Sequence, residues 1–208
     1  CGQNNVVVVL GMPKKSFSSD NFILLSGRAN PALAKAIGRI LKHTVHEPIS
    51  SFADSEIRVK IPPNMRRRHV FIIQPTSTPV NDHIMELILT IDAAKRASAG
   101  EVTAIIPYFG YARQDRKEMP HVPISGSVVA NLLVAAGVDR VLTIDLHSEQ
   151  QQGFVRIPWD NLYASYVLIP TVGAKKLKHI VVASPDKGGV VRATWYAKLL
   201  KASGIAIV

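Results

Sequence analysis

Short, continuous apolar runs recur along the chain, and stretches of helical periodicity separate them. Residues 22–26, FILLS, read as the first strand, and Gly27 follows it. A helix is predicted over 31–41, with Pro31 in its first turn and Asn30 as the capping residue. Ile57, Val59 and Ile61 alternate with Arg58 and Lys60, the pattern of a half-exposed strand that is antiparallel or at an edge. Pro62-Pro63 ends it. Residues 70–74 read as a buried strand. A long helix is predicted over 81–99, with Ile84, Leu87, Ile88 and Ile91 on one face. The run 102–106 is the next strand. Ser125 is placed to cap a helix running to Ala136, with Val128, Val129, Leu132 and Leu133 as its buried stripe and Gly137 as its stop. Residues 141–145 form another strand, and a polar loop is expected from there to about residue 162. A strand at 180–184, a helix over 189–201 and a strand beginning at 205 complete the pattern.

Strands that alternate with helices and are apolar throughout belong to parallel sheets covered on both faces. The predicted class is therefore α/β. In such sheets ligands bind beyond the carboxyl ends of the strands. Three polar clusters fall at those ends, and they carry the candidate chemistry.

The first cluster follows the strand at 102–106. The stretch IIPYFGYARQDRK, residues 105–117, mixes Tyr108, Phe109 and Tyr111 with Arg113, Asp115, Arg116 and Lys117. Arg113 offers a planar fork of donors suited to phosphate oxygens. Gln114 can read a base edge or a ribose, and the aromatics can stack on a purine or pack. The plain alternative is a solvated surface turn. The second cluster is Asp145-Leu146-His147. On an extended chain, residues two apart share a face, so both polar groups can meet one ligand while Leu146 turns to the core. A carboxylate suits Mg²⁺, whereas imidazole is a less usual ligand for it. A turn cap and a backbone-bonded histidine are the alternative. Asp160, further down the same loop, is a candidate second carboxylate. The third cluster, SPDKGG at 184–189, opens a helix. Paired glycines let the backbone approach an anion there, and Asp186 is placed to hold a metal or a sugar hydroxyl. A glycine turn with a capping aspartate is the alternative. A fourth, weaker signal is Phe52-Ala53-Asp54-Ser55-Glu56, an aromatic with two nearby acids.

Composition narrows these readings. The chain has 208 residues, 47% hydrophobic and 19% charged, and a formal net charge of +10. It is long enough for one large or two small domains. The positive balance favours anionic ligands. The densest basic runs, 66–68 and 175–178, are not interleaved with aromatics, so no nucleic-acid groove is indicated. A nucleic-acid binder remains the reading drawn from charge alone. Cys1 is the only cysteine, which rules out an intrachain disulfide and suits a reducing, cytoplasmic compartment. No apolar run reaches the length of a membrane span. Residues 1–21 are poorly matched to the rest of the chain and read as an N-terminal extension; the run at 6–10 is a candidate extra strand. They do not read as a secretory signal, although an organelle transit remnant is compatible with them.

Taken together, FADSE (52–56), NDHIMEL (81–87), AIIPYFGYARQDRK (104–117), PISGSVVANLL (123–133), TIDLHSEQQQGF (143–154), IPWDNLYA (157–164) and SPDKGGVVRA (184–193) resemble the ribose-phosphate pyrophosphokinases, also called phosphoribosyl pyrophosphate synthetases. The likeness runs from about Phe22 to the end of the chain. It implies two type I phosphoribosyltransferase-like domains with parallel sheets, here residues 22–162 and an incomplete 163–208, in homodimers that build hexamers. It implies Mg²⁺-dependent transfer of the β,γ-diphosphoryl group of ATP to the anomeric hydroxyl of ribose 5-phosphate, releasing AMP. By likeness, Arg113 and Gln114 hold ATP and Asp115 supports their loop. Phe52, Asp54 and Glu56 complete the adenine site from a neighbouring subunit. His147 and Asp186 help place Mg²⁺ and the triphosphate, Asp186 also facing the ribose phosphate. Asp145 and Asp160 act near the metal through water. Arg113 and His147 are the expected catalytic residues.

Three departures from the family pattern stand out. The family continues past the position of Val208 into a loop with a catalytic lysine and arginine, and later into a loop that grips ribose 5-phosphate. The expectation is that this chain is the N-terminal part of a longer polypeptide, inactive by itself. A basic, serine-bearing segment that binds regulatory phosphate or ADP reads Met119-Pro120-His121 here. Arg156 stands where an acidic residue is frequent, which weakens a second metal site. The alternative to an active synthetase is a non-catalytic relative within a synthetase assembly; intact Arg113, Gln114 and His147 favour the enzyme.

Overall fold

A computed structural model describes residues 22–208; the candidate strand at 6–10 lies outside them. The chain opens with β1 (Phe22–Ser26), α1 (Pro31–Leu41), β2 (Val45–His46), β3 (Ile49–Ser51) and β4 (Ile57–Val59). Then come β5 (His69–Ile73), α2 (Val80–Arg96), β6 (Glu101–Ile106), α3 (Ser125–Ala136) and β7 (Arg140–Ile144). A 3₁₀ turn at Glu149–Phe154 leads to β8 (Trp159–Leu162), α4 (Ser165–Gly173), β9 (Val181–Ser184), α5 (Val190–Leu200) and β10 (Gly204–Ile207).

Six strands form one sheet in the order β2-β1-β5-β6-β7-β8, every neighbouring pair parallel. β9 and β10 pair in parallel as a separate sheet, and β3 with β4 make an antiparallel hairpin. The alternation at 57–61 therefore is a half-exposed antiparallel strand. The sheet is buried because its strands are: Leu25, Val70, Val102, Ala104 and Ile106 are closed to solvent. Leu87 and Ile91 of α2, with Val129 and Leu133 of α3, pack on them. Asn30 does cap α1, its Oδ1 accepting from the Leu33 N–H at 3.0 Å. Gly137 closes α3 at φ +103°, a conformation that favours glycine.

Several local expectations are corrected. The polar loop after β7 contains a 3₁₀ turn and the sixth strand, because Trp159 buries its ring against Phe109 and its indole N–H finds Thr143. WDNL carries too few apolar residues to reveal that from pattern alone. α2 ends at Arg96, short of residue 99, since Ser98 turns to φ +63°. Ser125 is the first residue of α3 rather than its cap; its hydroxyl donates to Gln114 instead. Val128 and Leu132 are 53% and 46% exposed, so only half of the expected α3 stripe is buried. They line an open apolar groove with Val122 and Ile124. The strands β2 and β3 and the helix α4, which contains Pro170, carry too weak a periodicity to be read in advance.

Candidate functional site

The arginine loop is tied down from below. Thr76, just past β5, donates its hydroxyl to the Tyr108 carbonyl (3.0 Å) and accepts the Gly110 N–H (2.6 Å). A side chain at Gly110 would meet the Thr76 carbonyl at 2.8 Å, so the close approach requires glycine. Phe109 packs inward on Trp159. Tyr111, in the left-handed region at φ +63°, donates its hydroxyl to Asn81 Oδ1 at 2.6 Å. The Ala112 carbonyl accepts the side-chain N–H of buried Gln151 (2.7 Å). The aromatics thus divide: Phe109 is core, Tyr111 braces the loop, and Tyr108 remains exposed. What projects from this frame is Arg113, beside Gln114, whose carbonyl oxygen Oε1 is held by Ser125.

The neighbouring strand end brings the second cluster to the same place. β7 stops at Ile144, and Asp145 adopts φ +47°. The alternation argument for Asp145 and His147 therefore fails in its premise, because the chain is not extended there. Its outcome stands: Leu146 is buried, and both polar residues line one cavity with Arg113 and Gln114. That cavity has a volume of about 640 Å³. A polar hollow beside it, about 410 Å³, shares Arg113 and His147 and adds Asp115, Arg116 and Glu149. Tyr163 donates to the Glu149 carboxylate at 2.6 Å, a bond that raises its phenol above the ordinary value. Among the described residues, Arg113, Asp145 and His147 take part in no ion pair within 4.0 Å.

Two further contributors were not assigned roles from sequence. The first turn of α2, Val80 to Asp82, opens on the cavity with no side chain capping it, so its backbone N–H groups offer an anion site. Pro79 before that helix was the available signal. Arg192, from the start of α5, also lines the cavity. Tyr196, one turn on, has its phenol raised by burial and by nearby Asp145. The spacing of Arg192 from the SPDKGG glycines was visible, but its direction was not.

Other expected residues lie elsewhere. Asp160 sits on β8 and pairs with Arg140 at 2.7 Å, on the outer side of the strand; it does not reach the cavity. Alternation along β8 explains this, since the inward positions belong to Trp159 and Asn161. Asp186 caps the turn before α5, Oδ1 accepting from the Gly189 N–H at 2.8 Å, and does not line the cavity. Phe52, Asp54 and Glu56 occupy the β3–β4 hairpin, apart from the cavity. Phe52 is half exposed with the Arg58 guanidinium 5.6 Å from its ring, and Asp54 accepts the Glu56 N–H. Ser51, next to Phe52, accepts from Arg28.

The donor set tests Mg²⁺. No group of three or more acidic, histidine or cysteine side chains forms a cage among the described residues. Asp145 with His147 fits a Mg²⁺ that takes its remaining ligands from phosphate and water, the usual habit of that ion. It does not fit an all-protein site. No helix among the described residues is long and apolar enough to cross a membrane.

A family model, the N-terminal domain of ribose phosphate pyrophosphokinase, matches residues 22–137. A ribose-phosphate pyrophosphokinase of Prochlorococcus marinus is 51% identical over 196 residues, 94% of this chain and 60% of the relative. One from Shewanella oneidensis is 54% identical over 187 residues, 89% of this chain and 59% of the relative. The crystal structure of phosphoribosylpyrophosphate synthetase from Mycobacterium smegmatis superposes with a TM-score of 0.84 at 39% identity, covering 90% of this chain and 63% of that one. The chain thus spans about three-fifths of the length of the relatives it matches. With a mostly parallel α/β sheet, the arginine loop and the aspartate–histidine turn in place, the chain belongs to the ribose-phosphate pyrophosphokinase family.

Proposed function

We propose that this chain supplies the ATP-binding part of a ribose-phosphate diphosphokinase. The anomeric hydroxyl oxygen of ribose 5-phosphate attacks the β-phosphorus of ATP, the bond from that phosphorus to the α-phosphate bridging oxygen breaks, and AMP leaves while the hydroxyl proton is released. The observation that supports this reading is the meeting of Arg113 and Gln114 with Asp145 and His147 in one cavity, from adjacent strand ends. Phosphoryl transfer asks chiefly for positioning and charge neutralisation rather than a covalent nucleophile. Arg113 has the fork geometry for phosphate oxygens and no competing carboxylate. Gln114 keeps its amide N–H groups for a base or ribose, and Asp115 lies in the adjoining hollow to steady the loop. The free N–H groups of α2 and the Arg192 guanidinium add positive potential. Asp145 and His147 would hold Mg²⁺, which when bound neutralises triphosphate charge. Asp186 is assigned to the ribose-phosphate side and to the metal only through water, given its capping bond.

The Phe52–Glu56 hairpin lies outside this cavity, which agrees with its serving the adenine site of a neighbouring copy. The uncovered groove at Val128 and Leu132 supports a homo-oligomer of dimers and hexamers. The deciding experiment is AMP formation from ATP and ribose 5-phosphate by the full-length protein. Absence of AMP with ATP still bound would favour the non-catalytic relative.

A further inference from the structure

The turn that brings Asp145 and His147 into the cavity is not held by the side chain of either residue. A side chain that does hold it is that of Asn161, which lies in the stretch IPWDNLYA (157–164) but was given no role there. β8 lies beside β7 in parallel register, Thr143 opposite Asn161 and Ile144 opposite Leu162. The Asp145 N–H donates to the Leu162 carbonyl at 2.8 Å, and there the ladder ends. Asn161 Oδ1 then accepts the Leu146 N–H at 3.0 Å and the Thr143 hydroxyl at 3.3 Å. Thr143 in turn accepts the Trp159 indole N–H at 3.0 Å. The donors all run one way, from indole to hydroxyl to amide oxygen, and such chains reinforce one another. They also fix the orientation of the amide, because only its oxygen end can take two donors. The nitrogen end, Nδ2, is buried and makes no hydrogen bond of good geometry, although it lies near enough to the Tyr163 phenol to pull that group's pKa down against the Glu149 bond.

That asymmetry marks the function of the side chain. A buried polar atom without a partner is costly and calls for an explanation. Here the oxygen end takes the N–H of a residue at the point where the chain leaves the strand at φ +47°. Without it, the Leu146 N–H has no acceptor, and the turn loses the contact that seats Leu146 in the core. Asp145 and His147 flank Leu146, so their direction follows from its seating.

We infer that Asn161 is a positioning residue: it sets the Asp145–His147 turn from the neighbouring strand, and thereby the Mg²⁺–triphosphate end of the cavity. The inference rests on the proposed role of that turn in metal binding. It requires an acceptor at position 161 and assigns no role to the amide N–H.

Two variants of the full-length protein separate these points. Asn161→Leu removes the acceptor at similar volume, whereas Asn161→Asp keeps the acceptor while exchanging the amide N–H end for a second oxygen and a negative charge. Hydrogen–deuterium exchange of the peptide spanning 144–148 is expected to quicken in Asn161→Leu and to stay near the parent rate in Asn161→Asp, with β1, β5 and β6 unchanged in both. The Mg²⁺ concentration that half-saturates ATP binding is expected to rise about 10-fold or more in the leucine variant, the scale of losing an outer-shell support, and to be restored in the aspartate variant. Parent-like exchange in Asn161→Leu overturns the inference, as does equal loosening in both variants. Loosened exchange in leucine, restored in aspartate, with an unchanged Mg²⁺ requirement upholds the positioning role and overturns the metal assignment of the turn. If Asn161→Leu does not fold, Asn161→Ala carries the test: it removes the same acceptor without leucine's branched bulk, and an unchanged rate at 144–148 overturns the inference.

Discussion

The carboxyl ends of β1 and β5 and those of β6 and β7 are laid out by the same backbone, yet one is closed and the other open. Strand order reverses beside β1, where β2 lies on one side and β5 on the other. In open parallel sheets that reversal is where ligands bind. Here side chains fill it. Buried Glu86 of α2 accepts from Arg28 Nε at 2.5 Å, from the Arg28 N–H at 3.2 Å and from Gln74 Nε2 at 2.7 Å. Gln74 also accepts the Ala29 N–H, and it lies where a side chain on Gly27 would have to go. At the β6–β7 end the charged groups have no such partners, and the cavity lies there instead. A strand end thus becomes a site when its polar side chains are left unneutralised, and becomes core when they satisfy one another.

The largest effect is expected from breaking the closed end. Glu86→Ala removes the acceptor of the Arg28 Nε and backbone N–H groups and leaves Gln74 Nε2 only the His83 carbonyl, and it should lower unfolding free energy by about 3 kcal/mol. Thermal and denaturant unfolding measure this, and a loss under half that size would mean the network is not a structural plug. At the open end the effects should fall on binding instead. Arg113→Ala is expected to weaken ATP binding by about 1.5–3 kcal/mol, the value of a charge-assisted contact, while the melting temperature barely moves. An unchanged ATP affinity by calorimetry would remove the loop from the nucleotide site.

His147→Ala sharpens the contrast within the open end. Turnover should drop by about 10–100-fold with a smaller change in ATP affinity, because the imidazole is assigned to the reacting phosphates. If raising Mg²⁺ and ATP restores the full rate, the histidine is only a spacer. The smallest effect concerns Ser125, whose hydroxyl holds Gln114. Ser125→Ala should cost about 1 kcal/mol, the net worth of one hydrogen bond, seen as a modest rise in the KM for ATP. A rise as large as that of the Arg113 variant would show that loop order, not the arginine, carries the binding. Regulation obeys the same logic. Met119, Pro120 and His121 offer few donors to an anion, since proline has no N–H. Phosphate activation should be weak, and a steep loss of rate on removing phosphate would place the regulatory site on other residues.

Legibility depended on range. α1 and its Asn30 cap were readable because both depend on neighbours within one turn. β8 was not, since WDNL becomes a strand only through Trp159 packing on Phe109 and bonding Thr143. The Arg113 loop and the Asp145–His147 pair were visible as chemistry, and their meeting results from β6 and β7 being neighbours. Asp160 was misplaced because its Arg140 partner is 20 residues away.

By itself the sequence determined the alternation of apolar strands and helices, hence a parallel α/β sheet, and the residue types at its strand ends. Periodicity and capping are local, so they survive without the rest of the fold. The tertiary structure decided which strand end stays open. That depends on charges meeting across space: Arg28 and Glu86 are 58 positions apart. It depends equally on a helix N-terminus and Arg192 arriving from other elements at the cavity. Whether a polar side chain is neutralised or left for a ligand is set by its neighbours in space, and only folding chooses those.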